Sequence, residues 1–298
     1  MDVLSDILQL IRLEGTVYFQ SDFSAPWGMT MPGSPVAQFH MVVRGQCWLH
    51  TDSLSEPMPL VGGDVVVFPH GDAHWLANSP DETRMSGRAV LQAYQNGRPL
   101  FQNGTVCTTL VCGHFGFDRE LHHPLLQALP PFIHLKGSEQ HADSRLDTAV
   151  SLIICETRNP QPGSAVITDR LAEVLFIQIV RTFMAQPQSG GFLQALRDKE
   201  IGKALQIIHA QPEAPLTLAD IAQEIGMSRS TFAGRFKTIV GMTPMRYITG
   251  WRMQKARELL RDTNQPLTAV ALQVGYQSQA AFIRAFQREF KQNPSAVR

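Results

Sequence analysis

Long apolar runs are missing from this chain. No stretch approaches the roughly 18 consecutive apolar residues that a membrane-spanning helix needs. Cysteine is scarce, with four in 298 residues, and Cys47, Cys107, Cys112 and Cys155 do not make a disulfide framework at this length. The gap between Cys107 and Cys112 is too wide for a CxxC motif, and no second pair completes a zinc site. The four read as small buried hydrophobes, with a redox-sensing thiol as the alternative. The N-terminus interleaves Asp2, Asp6 and Glu14 with its apolar residues. That makes a poor signal peptide, so the expected location is the cytoplasm, with no membrane partner.

Net charge is also absent, with 26 basic and 26 acidic side chains. The balance conceals a segregation. Residues 192–298 hold 15 Lys and Arg against 8 Asp and Glu, and residues 1–191 carry the opposite imbalance. A basic C-terminal region suits a polyanionic partner, and the acidic N-terminal part is left for another task. Length and a hydrophobic content of 44% fit a soluble protein of two domains.

The periodicity of the chain divides in the same way. From Tyr18 to about Leu135, short apolar strands such as 39–43, 47–50, 64–68 and 106–112 are broken by Gly, Pro and Asp. Strands at this spacing predict a sandwich or barrel. Helical spacing then takes over, first at Leu146, Val150, Ile153 and Ile154, then at Leu171, Val174, Leu175, Gln178 and Ile179. These predict a helical hairpin over about 142–185, after a barrel over about 15–137. The segment Gln-Pro-Gln-Ser-Gly-Gly at 186–191 is the best linker, so the expected domains are 1–187 and 188–298. The hairpin's apolar face exceeds what one barrel edge needs, which predicts a homodimer.

Beyond the linker the chain reads as all helix. Leu193, Leu196, Ile201, Leu205 and Ile208 stripe one helix, and Thr217 with Asp220 opens the next as a capping box. A helix-turn-helix pattern then occurs twice. Ala222, Gly226, Ser228, Phe232 and Phe236 mark the first copy, and Ala271, Gly275, Ser278, Phe282 and Phe286 the second. The phenylalanines repeat at an offset of 50 and the alanine and glycine at 49, so the difference falls in the turn. Each glycine supplies a positive-φ turn and each serine an N-cap. Between the copies, Thr243 and Pro244 open a helix reaching Asp262, about 28 Å long at 1.5 Å per residue. That length is near the ~34 Å repeat of successive major-groove segments, so the ligand implied is double-stranded DNA.

Helical register assigns faces. Phe232, Phe236, Trp251, Phe282 and Phe286 belong in the core. Gln279, Ala280, Ile283 and Arg284 can reach bases, where Arg suits guanine O6 and N7 and Gln suits adenine. The matching Ser230, Ala233 and Gly234 of the first copy are small, and Arg229, Arg235 and Lys237 suit phosphates. The second copy is therefore expected to supply more of the sequence preference.

The run Ile-Gly-Met-Ser-Arg-Ser-Thr-Phe-Ala-Gly-Arg-Phe-Lys, with Gly241-Met-Thr-Pro, Trp-Arg-Met at 251–253 and Val-Gly-Tyr-Gln-Ser at 274–278, closely resembles the AraC/XylS family of bacterial transcription regulators over residues 192–298. The resemblance implies two helix-turn-helix units joined by one long helix, and places Arg284 at a base-reading position. Upstream, Gly63, Pro69, Gly71, His74 and Asn78 fit the second cupin signature, and residues 39–45 resemble a degenerate first one. Val42 stands where a second histidine is usual, and Gln46 near the position of a glutamate. Residues 113–118 and 123–130 resemble the cupin-bearing branch of the same regulators.

The fold class expected is therefore a cupin-like β-barrel with a helical hairpin, followed by an all-α double helix-turn-helix. His40 and His74 are too few ligands for a catalytic cupin. They read either as strand-end histidines bonded to backbone or as part of a divalent-metal site completed by His114, His122 or His123. A barrel interior suits a small-molecule effector, and Trp27, Phe39, Trp48, Phe68 and Trp75 either line it or fill it. The function expected is a non-enzymatic, sequence-specific transcription regulator controlled by a signal at the cupin-like domain. The alternatives are a thiol-based redox regulator, a cupin enzyme tethered to DNA, and a constitutive DNA binder.

Overall fold

A computed structural model describes residues 2–118, 123–137, 144–186 and 190–297. They form two compact units. Leu13–Phe117 and Leu129–Gln186 make the first, and Met1–Arg12, Asp118–Ala128 and Pro187–Arg298 the second. Two segments that the sequence assigns to a domain of 1–187 thus group with the helical half. Their apolar side chains explain it: Ile7, Leu10 and Ile11 of the first and Leu125 of the second are buried. Helix α1 (Val3–Leu10), capped by the Asp2 carboxylate on the Ser5 N–H, packs on helices of that unit.

The first unit is a curled nine-stranded sheet. Its strands are β1 (Glu14–Ser24), β2 (Gly28–Met31), β3 (Ala37–Thr51), β4 (Met58–Val61), β5 (Val65–Phe68), β6 (His74–Ala77), β7 (Met85–Ser86), β8 (Val106–Gly116) and β9 (Ile133–Leu135). The long β3 organises them. Its first half pairs with β5 and β8, its second half with β4 and β6, and a register irregularity between Val42 and Arg44 marks the change. β1 pairs antiparallel with β8 from Glu14↔Gly116 onward. The sheet order ends at β1 and β7, so the expected barrel is an open half-barrel.

Two residues of the cupin signature have clear work. Gly71 sits at φ +71, and a Cβ there would lie 2.0 Å from the Ser34 carbonyl oxygen. Asn78 accepts the Trp27 backbone N–H at 2.5 Å, which ties the end of β6 to the start of β2. Inside the curl, Phe23, Trp27, Leu49, Phe68 and Leu76 are buried in one core. On the other face Phe39 stacks on Phe115 at 4.7 Å, and Phe115 meets Phe176 at 5.0 Å. Phe176 belongs to α5 (Ser164–Ala185), which with α4 (Ser144–Arg158) forms the helical hairpin against β1. Contact there is close enough that a Cβ on Gly15 would lie 2.6 Å from the Ala172 Cβ. Residues 142 and 143 of the expected hairpin lie outside the described residues, as do 187–189 of the expected linker. Helices α1, α2 (Gly87–Gln95) and α3 (Pro124–Gln127) were not anticipated; α2, within the region read as strands, sets Val90, Leu91 and Tyr94 toward the core.

The second unit is helical. Besides α1 it contains α3 (Pro124–Gln127), α6 (Gly191–Arg197), α7 (Lys199–Ala210), α8 (Leu218–Glu224), α9 (Arg229–Val240), α10 (Pro244–Asp262), α11 (Leu267–Gln273) and α12 (Gln279–Phe290). The single helix expected from Leu193 to Ile208 is two. Asp198 interrupts it in an extended conformation and caps α7 through the Ile201 N–H. Elsewhere the caps fall where the sequence puts them: Thr217 and Asp220 form the capping box of α8, Ser228 caps α9, Thr243 caps α10 with Pro244 in its first turn, and Ser278 caps α12.

This unit buries two histidines as neutral imidazoles. His123 accepts the Leu125 N–H at the start of α3. His209 stacks on Trp251 at 3.7 Å and bonds the Tyr247 hydroxyl at 2.7 Å through Nε2. Its Nδ1 lies 3.3 Å from Asp6 without hydrogen-bond alignment. Burial pushes both pKa values from 6.5 down to about 3, helped for His209 by His123 and Lys255. A histidine with a depressed folded pKa leaves the unfolded chain as the better proton binder below pH 6.5. Its contribution is therefore fully present above pH 6.5 and is lost as pH falls toward 3. Each should cost about 2 kcal/mol between pH 7 and pH 5. Urea unfolding at the two pH values checks this: the stability loss should shrink in His209→Gln, and a wild-type stability flat over that range would contradict it.

Candidate nucleic-acid interface and effector cavity

The two recognition helices are built alike. In α9, Phe232 and Phe236 are buried, and the first helix-turn-helix closes on α10 where Phe236 meets Tyr247 at 5.8 Å. In α12, Phe282 and Phe286 enter a core with Met253, Ala256 and Leu260 of α10. These contacts fix which residues of α9 and α12 remain outside. Ser230 and Gly234 are exposed and Ala233 half-buried on α9, and Gln279, Ala280 and Arg284 are exposed and Ile283 half-buried on α12. Arg229 and Lys237 are exposed as well.

Arg235 differs from its neighbours. Its guanidinium donates to Asp198 at 2.6 Å and lies 3.3 Å from Glu200. The Asp198 bond holds the guanidinium above its ordinary pKa. The residue read as a phosphate contact thus ties α9 to the N-terminal end of α7, with its charge already matched. Arg252 is likewise structural: it donates to the carbonyls of Pro212 at 2.7 Å and Ala214 at 2.5 Å.

The half-barrel unit holds a cavity of about 350 Å³ between β1, β2, β3, β8 and α2. Tyr18, Phe19, Met29, Met31 and Leu91 give it an apolar wall, and Gln38, His40, Cys112 and Arg88 add polar groups. None of the five aromatics weighed from the sequence lines it. Trp27 and Phe68 fill the core beside it, Phe39 faces α5, and Trp75 lies under the Arg84 guanidinium at 3.7 Å. Strand alternation gives faces, but not where a core is left open, so apart from His40 and Cys112 the lining residues carried no sequence signal.

Along one wall runs a chain of hydrogen bonds. His74 Nδ1 lies 2.8 Å from the Asp72 carbonyl, His74 Nε2 lies 2.8 Å from His40 Nε2, and His40 Nδ1 lies 3.0 Å from Cys112 Sγ. Only one proton arrangement satisfies all three. His74 Nδ1–H donates to the carbonyl, His40 Nε2–H donates to His74, and the Cys112 thiol donates to His40. Burial keeps both rings neutral, lowering His40 well below its usual value and His74 to about 4. Every ring nitrogen is thereby occupied. Two imidazole nitrogens on one tetrahedral zinc would stand about 3.3 Å apart, wider than this pair. Of the residues considered as a further ligand, His114 stacks on Tyr18 at 5.1 Å, His123 caps α3 in the other unit, and His122 lies outside the described residues. Among the described residues, no three such side chains converge in an arrangement that could hold a metal ion. The donor set does not fit a divalent metal.

Two of the four thiols, Cys47 and Cys112, do not fit a redox trigger; Cys107 is half-buried, and Cys155, read as a buried hydrophobe, is exposed. Cys47 is 1% exposed and its pKa is pushed up to about 12 by burial, and burial raises Cys112 too. Thiolate, the reactive form, is therefore suppressed at both.

Sequence comparison adds family to geometry. A cupin family model matches residues 2–185, and a helix-turn-helix domain model matches 221–298. A putative AraC-like transcription regulator of Streptomyces lividans is 30% identical over all of this chain and 98% of its own length. The HTH-type transcriptional regulator AlkR of Acinetobacter baylyi is 31% identical over all of this chain and 99% of its own. The chain belongs to the AraC-type transcription regulators. Among solved structures, the AraC-type DNA-binding domain of a Chromobacterium violaceum regulator covers 33% of this chain and 88% of its own, at 29% identity and a TM-score of 0.32.

As an AraC-type regulator the chain binds DNA through its helix-turn-helix domain, and it is not an enzyme. Arg284→Ala should weaken binding to a specific site by about 1–3 kcal/mol and relax preference at one base pair. Lys237→Ala should weaken all sequences alike and flatten the salt slope. Titration of each variant against specific and random duplexes checks both, and equal losses on the two for Arg284→Ala would contradict base reading.

Proposed function

We propose that this AraC-type regulator reads an asymmetric promoter site in the cytoplasm, with α12 supplying most of the sequence preference. A small molecule in the half-barrel cavity sets its affinity. Chain connectivity is the observation that supports control by the cavity. β1 and β8 line it, and their paired ends Glu14 and Gly116 lead within two residues into segments of the helical unit. Those segments hold α10. Asp118 pairs with Arg257 at 3.3 Å and with Arg261, and Arg12 pairs with Asp262. The helix that spaces the two recognition helices is thus gripped by the continuations of the strands a ligand would touch. A ligand with different affinity for two settings of those strands shifts the population of α10 arrangements. Control through a lone 186–191 linker is the weaker version of this reading, because the backbone passes between the units at three further places.

Sequencing of duplexes selected from a random pool by the full-length protein tests the reading. The expected enrichment is two unlike half-sites about one helical turn apart. A single half-site, or none, would reject it.

The chain acts as a homodimer in this reading, through the hairpin. Val166 is 66% exposed, and Leu152, Ile167 and Val174 are exposed beside it on α4 and α5. Charged substitution at Val166 and Ile167 together should convert a dimer to a monomer in sedimentation at micromolar concentration. A wild-type monomer under those conditions excludes the dimer.

A further inference from the structure

We propose that the half-barrel cavity takes a neutral, compact, mainly apolar molecule carrying a single polar head that bonds the Gln38 carboxamide. The proposal rests on the effector reading above and adds the chemical class. Three observations carry it.

The first is the unsatisfied polar atom. Gln38 Oε1 is buried on the cavity wall and has no hydrogen-bond partner. A buried acceptor left unmade is costly, and a ligand hydroxyl or amide N–H would satisfy it. The second is the saturation of the remaining buried polar groups. His40 and Cys112 also line the cavity, but their hydrogen-bonding atoms are committed to each other and to His74. A molecule with many hydroxyls, such as a sugar, would bring more donors and acceptors than the remaining polar side chains of the lining, the Tyr18 hydroxyl and the half-buried Ser34, can partner, and the rest would lose their hydration. The third is charge. His40 on the wall and His74 bonded behind it are neutral, and the cation of the lining, Arg88, is exposed at the rim. A buried carboxylate or ammonium would be desolvated without an opposite charge beside it.

Size and shape agree. About 350 Å³ is near the lower end of the roughly 300–1,000 Å³ typical of small-molecule pockets. Met29 and Met31 offer flexible, polarisable contacts for a flat ring or a short chain, and Tyr18 and Phe19 offer aromatic faces.

The test uses the full-length protein and four probes: 2-naphthol, its near-isostere 2-methylnaphthalene, 2-naphthoate and glucose. Binding is followed by calorimetry or probe fluorescence. 2-Naphthol should bind one per chain, 2-methylnaphthalene about tenfold more weakly, and 2-naphthoate and glucose more weakly still. Gln38→Leu should erase the preference for 2-naphthol over 2-methylnaphthalene. Leu91→Trp, which fills the cavity from α2, should abolish 2-naphthol binding while DNA binding persists as evidence of folding. The proposal is overturned by no measurable 2-naphthol binding, by glucose or 2-naphthoate binding at least as tightly, or by either variant leaving 2-naphthol behaviour unchanged. DNA affinity measured with and without saturating 2-naphthol separates the two readings. If it does not move while the binding pattern holds, the ligand class stands and the effector reading falls.

Discussion

One shared helix makes the DNA-binding half possible. A helix-turn-helix of two short helices cannot bury enough apolar surface to hold itself together. Here the second copy borrows its missing wall from α10, and the first takes its wall from α6 together with α10. Phe232 packs on Phe236, which meets Tyr247 near the N-terminal end of α10. Phe282 and Phe286 close the second on Met253, Ala256 and Leu260 further along. The same burial that folds each copy therefore fixes its place on the spacer. Arg246, which pairs with Glu289 of α12 from the first turn of α10, ties the second copy to the end nearer the first. Spacing and stability have one cause, and a change that loosened the spacer would damage both.

The half-barrel follows a different economy of polar groups. In one hydrogen-bonded chain it buries two imidazoles and a thiol without giving any of them a charge partner. Neutrality solves the problem: each ring donates once and accepts once, so desolvation is met by hydrogen bonds instead of ions. The residues that make a metal centre in a complete cupin signature are thinned in this chain. Val42 stands where the signature it resembles usually has a second histidine, and at 2% exposure it serves packing in the core. What remains is a wall that stays uncharged at neutral pH beside a cavity of apolar side chains.

Much of this was legible in the sequence where a local rule has a local cause. The capping box of Thr217 and Asp220, the N-caps Ser228 and Ser278, and Pro244 in the first turn of α10 depend on neighbours three or four residues away, and they fall as read. Other features depend on partners far along the chain. Asp198 splits α6 from α7 because it serves as a cap and also meets Arg235, 37 residues later. Arg235 resembles a phosphate contact until that partner is known. The grouping of Asp118 with Arg257 and Arg261 spans 139 and 143 residues, and nothing at either end of the pairing announces it. α2 was lost because its nine residues follow a run of strands and carry too few apolar positions to reveal their period. The cavity was illegible for a further reason: Tyr18, Gln38 and Leu91 mark the place where side chains stop short of filling space, and a sequence pattern has no term for a void.

The asymmetry between the two recognition helices bears on how a single chain can discriminate. On α9 the positions facing outward carry Ser230, Ala233 and Gly234, small groups that admit the helix to a groove but offer few base-edge bonds. Arg229 and Lys237 flank them with charge that any phosphate satisfies. On α12, Gln279 and Arg284 offer geometry that a particular base pair can match. Because α10 fixes the separation of the two helices, the affinity of the first can support the selectivity of the second only on a duplex that places a suitable sequence at the set distance. In the proposed reading, a binder arranged this way gains general affinity from one end and specificity from the other. Its response to a signal is then most economically exerted on α10, where a small change of setting misaligns one end relative to the other without altering any DNA-facing side chain.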